Sequence, residues 1–170
     1  MNKKSKNKMT KDTIPEGFTV SMTIADMIPV VFFGLSAIRI GSLFESTLFV
    51  AGSLICLFSG VVKVLWKLVV AVSKRNIWPM FVQMRILMPV GFLTLLIALI
   101  ADRGKLNASA IMAGLTGFPA CIFFGTGILG MVLMTVFAFK MDSSDPKVNW
   151  LEQTINGIAQ MCFFAGLLLV

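Results

Sequence analysis

Histidine is absent from this chain, and so is tyrosine. Without histidine, the residue that most often serves as general base or metal ligand near neutral pH is missing. Charge is scarce as well: 14% of the 170 residues are charged, against roughly a quarter in ordinary soluble proteins. The three cysteines, Cys56, Cys121 and Cys162, stand far apart in apolar runs, with no paired spacing for zinc, haem or a redox dithiol. There is no Gly-rich phosphate loop, no paired-carboxylate site and no nucleophile beside a base. These absences argue against an enzyme, and no cofactor or metal is expected. What the chain has is apolar sequence: 57% of its residues are hydrophobic and its mean hydropathy is +0.90. That composition excludes disorder, collagen and a nucleic-acid module as whole-chain descriptions, and it implies an integral membrane protein.

The apolar residues fall into five runs, at about 19–44, 47–72, 79–101, 107–139 and 146–170. They are continuous rather than alternating, which points to helices and away from a β-barrel. The fold expected is all-α, an antiparallel bundle of about five transmembrane helices joined by short links. A tail, 1–17, precedes a single transmembrane domain, 18–170. Thr13 and Glu16 have the spacing of a capping box at the end of that tail. The fourth run would extend roughly 50 Å as one helix, too long for a perpendicular crossing. Pro119 lies within it among several glycines, so a bend at Gly117, Phe118 and Pro119 is expected. Four spans with a re-entrant piece form the competing topology.

Charge is unevenly distributed along this pattern. Lys3, Lys4, Lys6, Lys8 and Lys11 fall ahead of the first run, where they read as a cytoplasmic tail that orients the chain toward an anionic leaflet. With the amino terminus in the cytoplasm and five spans, Lys63, Lys67, Lys74, Arg75, Arg85, Lys140 and Lys147 join them on that side. The opposite side keeps Arg39, Arg103 and Lys105, so the basic residues divide twelve to three. The positive-inside rule then locates the carboxyl terminus outside a cell membrane. The excess positive charge reads as orientation and not as a nucleic-acid arm.

Ionisable and amide side chains inside the runs each need an account, because lipid solvates none of them. Asp26 is about two turns into the first run, and Lys63 and Lys67, four apart, share a face of the second. Arg85 lies about two turns into the third. The fifth carries Glu152, Asn156 and Gln160 at i, i+4 and i+8, with Gln153 alongside. Most of these positions lie about 5–15 Å from the expected cytoplasmic face. Together they predict a polar vestibule open to the cytoplasm, able to bind a small anionic solute or a lipid headgroup. A transporter, channel or transport-complex subunit is the function this suggests. The alternative is a non-catalytic structural or regulatory membrane protein docking a partner or anionic lipid through its basic face. In that case the basic residues snorkel, Trp66 and Trp78 anchor at the interface, and the amides join helices. Ala113, Gly117, Cys121 and Gly125 form a small-residue face, with Gly34, Ala37 and Gly41 as a counterpart. Such faces pack helices within a bundle or join copies into a homo-oligomer.

Overall fold

A computed structural model describes residue 14 and residues 17–141 and 146–170. The lysine-rich tail and the Thr13–Glu16 spacing lie outside the described residues. The described chain is helical, with no strand. Helix α1 spans Val20–Phe44 and α2 spans Thr47–Ser73. Short α3, Trp78–Val82, leads into α4, Met84–Ala101. A 3₁₀ turn at Arg103–Lys105 follows, then α5 at Ala108–Thr116, α6 at Ala120–Lys140 and α7 at Pro146–Leu168.

Local chemistry sets most of these limits. The Thr19 hydroxyl accepts a hydrogen bond from the Met22 amide at 3.2 Å, and Ser46 does the same for Phe49 at 3.1 Å. Each cap satisfies an amide that the helix itself leaves free. Pro79 sits in the first turn of α3, where its missing N–H costs nothing. The joint between α3 and α4 is Gln83, whose side-chain amide donates to the carbonyls of Ser59 and Met80 at 3.2 and 3.3 Å. The fourth run divides at Gly117–Phe118–Pro119, as the sequence predicts. Proline offers no amide to continue the ladder from α5.

Four stretches are long and apolar enough to cross a membrane: Val20–Leu43, Thr47–Ser73, Trp78–Ala101 and Ala120–Phe137. Helix α7 has the length. Its hydropathy is lower than theirs, because Glu152, Gln153, Asn156 and Gln160 lie in its first two thirds. Large apolar side chains including Ile24, Ile38, Phe58, Val72 and Ile100 project outward and stay more than half exposed. Such a surface suits lipid surroundings better than water.

The helices form a curved row in the order α4, α2, α1, α7, α6. Contacts between α1 and α2, α2 and α4, and α6 and α7 run antiparallel. Helix α7 instead runs parallel to α1: Gly157 meets Ile28, Phe164 meets Phe32, and the Leu167 carbonyl accepts from Arg39 Nε at 3.3 Å. The long connection through α5 permits this, where a short link would enforce an antiparallel neighbour. Small residues set the closest approach. A Cβ on Gly52 would sit 3.0 Å from the Leu95 amide nitrogen, and one on Gly91 would sit 3.0 Å from that of Cys56. At the α1 carboxyl end, the Ser46 hydroxyl donates to Asp102. Lys105 Nζ lies 3.3 Å from Asp102 and donates to the Glu45 carbonyl at 2.9 Å. The Ser46 hydrogen bond, with help from Lys105, holds the Asp102 carboxyl below its ordinary value despite some desolvation.

Candidate functional site

Asp26 lies six residues beyond the start of α1, and Lys67 lies six before the end of α2. Antiparallel packing therefore brings both to the same depth, about 9 Å from the helix ends. They form a buried ion pair, with side chains only 4% and 5% exposed. One turn deeper on α2, the half-buried Lys63 interacts electrostatically with Lys67, Asp26 and Glu152. Glu152, buried on α7, completes the group. Four of the expected site residues, drawn from three helices, are thus brought together.

Aromatic rings cover the group toward the nearby helix ends. Lys67 Nζ lies 5.4 Å from the centre of the Phe18 ring, just ahead of α1. Phe18 stands edge-on to Trp66 at 5.8 Å, and Trp66 packs on Phe81 at 4.9 Å. The Trp66 indole donates to the Asn76 side-chain oxygen at 3.0 Å. Trp66 is only 2% exposed, so it is a buried element of the site and not an interfacial anchor. Trp78, 5.3 Å from Phe81, is half-buried. Phe18, Asn76 and Phe81 were not singled out by the sequence. The adjacency of Trp66 to Lys67 was the available signal, since an indole beside a buried ammonium often helps to enclose it.

The remaining expected residues lie apart. Arg85 is exposed, with its guanidinium 5.0 Å from the Phe81 ring, on a helix whose extensive packing among the long helices is against α2. Gln153 and Asn156 are half-buried on α7. Gln160 is eight residues beyond Glu152, about 12 Å along the axis. It donates weakly to Met131 Sδ at 3.8 Å and lines a cavity at the opposite end of the bundle. Without Arg85 the cluster is balanced, two ammonium groups against two carboxylates. Lys67 is committed to Asp26, whereas Lys63 Nζ has no hydrogen bond or ion pair within 4 Å among the described residues. An ammonium so enclosed can hold an anion, or can exchange partners with the adjacent pair. No group of residues suited to holding a metal ion occurs among the described residues. No family model matches the chain, and no curated protein or solved structure matches it either.

Proposed function

We propose that this chain is a multi-pass protein of the cell membrane, a transporter or transport-complex subunit that takes up a small anionic solute or a lipid headgroup at Lys63. Its amino terminus lies in the cytoplasm, α7 serves as a fifth span, and the site opens to the cytoplasmic side. The observation that carries this reading is the half-buried Lys63 ammonium, left without a direct partner beside a neutralised Asp26–Lys67 pair. Asp26 and Glu152 offset the Lys63 charge without contacting it, and an incoming anion gives that ammonium a direct partner. The test is binding of inorganic phosphate, and of phosphatidylglycerol in vesicles, to the purified chain at low and physiological salt. Lys63→Gln is expected to abolish binding while the chain stays folded. Glu152→Gln is expected to strengthen binding, because a competing carboxylate is removed. Unchanged binding in Lys63→Gln would refute the reading.

A second reading is favoured by Lys74, Arg75, Lys140 and Lys147, which are exposed at the same end of the bundle. Here the protein is non-catalytic and docks a partner or anionic lipid through that basic face. Neutralising those four residues together, with Lys63 intact, separates the two readings.

A further inference from the structure

At the end of the bundle away from the charge cluster lies a cavity of about 740 Å³. Helices α1, α2, α4, α5, α6 and α7 all contribute to it, with Phe33, Leu95, Ile111, Phe124 and Leu167 among its apolar walls. It lies within the size range of small-molecule sites, roughly 300–1,000 Å³. Its inner end is wide because Ser36, Ala37 and Ser53 are small. The two ends of the helix row, α4 and α6, share no extensive packed face, so the cavity is open where they fail to meet. Most of its lining is apolar, and keeping that surface in contact with water is unfavourable. An apolar occupant entering through the open side removes that contact.

Two further features say which. The lining along α1 runs from Phe33 to Leu43; ten residues of helix span about 15 Å. That is half of a hydrocarbon core of about 30 Å, the reach of an acyl chain from one leaflet. At the rim stand Asn107 and Lys105, the latter's side chain 50% exposed. Lys105 gives one hydrogen to the Glu45 carbonyl and faces Asp102, which leaves its third donor for an anion at headgroup level. We propose that this cavity binds one anionic glycerophospholipid from the leaflet at the α5 end, with an acyl chain in the cavity and its phosphate at Lys105.

The test is native mass spectrometry and lipid extraction of the full chain, taken from nanodiscs of phosphatidylcholine and phosphatidylglycerol into detergent. One phosphatidylglycerol per chain is expected to survive the exchange. Ser36→Leu, which fills the inner end, is expected to lower its retention about tenfold, the loss for excluding roughly two methylenes. Leu99→Trp blocks the opposite wall from a position already 40% exposed, and it decides the matter if Ser36→Leu does not fold. Lys105→Gln is expected to reduce the preference for phosphatidylglycerol over phosphatidylcholine about fivefold. Retention as high in Leu99→Trp as in the wild type overturns the proposal. So does equal retention of the two lipids by the wild type, or recovery of a free fatty acid in their stead.

Discussion

The Asp26–Lys67 pair gives a prediction with an asymmetry that surface pairs lack. Removing one partner of a buried pair typically costs about 3–5 kcal/mol, because the other charge is left without compensation. The two removals differ here because of Lys63. In Lys67→Met, Asp26 still has the Lys63 ammonium in its field, so the cost should fall at the low end of that range. In Asp26→Asn, Lys63 and Lys67 face each other one turn apart with only Glu152 to balance them, and the cost should approach the upper end. Their difference, about 1–2 kcal/mol, would separate the midpoints of thermal unfolding by roughly 2–8 °C in a chain of this size. The double variant Asp26→Leu with Lys67→Met should fold at least as well as either single one, since an apolar replacement of a buried pair is often neutral or stabilising. The assay is thermal unfolding in detergent, followed through Trp66 fluorescence beside the site. A Lys67→Met variant less stable than Asp26→Asn, or a double variant less stable than both, would refute this account of the cluster.

Cysteine labelling from the two sides of the membrane, at positions 74, 105 and 147 in a cysteine-free background, should separate 105 from the other two; labelling of all three from one side would end the five-span proposal. Gly91→Ala and Gly52→Ala should each destabilise the fold by about 1–3 kcal/mol through overpacking, whereas Gly125→Ala, whose Cβ would meet open space, should have little effect on the monomer in the same unfolding assay. Ser46→Ala should cost about 1 kcal/mol through loss of the α2 cap. Asp102 has a depressed carboxyl pKa, so its native state binds fewer protons than the unfolded chain. Its contribution is therefore complete above the ordinary value of 3.8 and is lost as the pH falls through the lower native value. Ser46→Ala should flatten that part of an unfolding-versus-pH curve.

Depth along a helix is legible in a sequence, because each residue advances a fixed rise; rotation relative to distant neighbours is not. Asp26, Lys63, Lys67 and Glu152 were therefore identifiable as sharing a level, and they meet. Arg85 shares that level too, but among the long helices α4 packs extensively only against α2, which leaves Arg85 outside. The residues from Glu152 to Gln160 share one helix, yet the length of that stripe along the axis assigns its two ends to different sites. The bend at Pro119 was legible because proline acts locally. The parallel approach of α7 to α1 was not, since the connection through residues 102–119 is too long to dictate a neighbour. The lipid-sized cavity was hidden for another reason: it is defined by atoms that Ser36, Ala37 and Ser53 lack, summed over six helices.

The parallel docking of α7 on α1 bears on how the chain is assembled during synthesis. Helices α1 and α2 emerge first, and their hairpin can neutralise Asp26 with Lys67 at once. Lys63 is then the charge left over, and it waits until nearly ninety further residues deliver Glu152. Helix α7 is the least apolar of the long helices, so hydropathy alone would recruit it only weakly into a bilayer. The field of Lys63 supplies what hydropathy does not: a specific address for the last helix, next to the first. Completion of the bundle and arrival of the second carboxylate of the cluster are the same event.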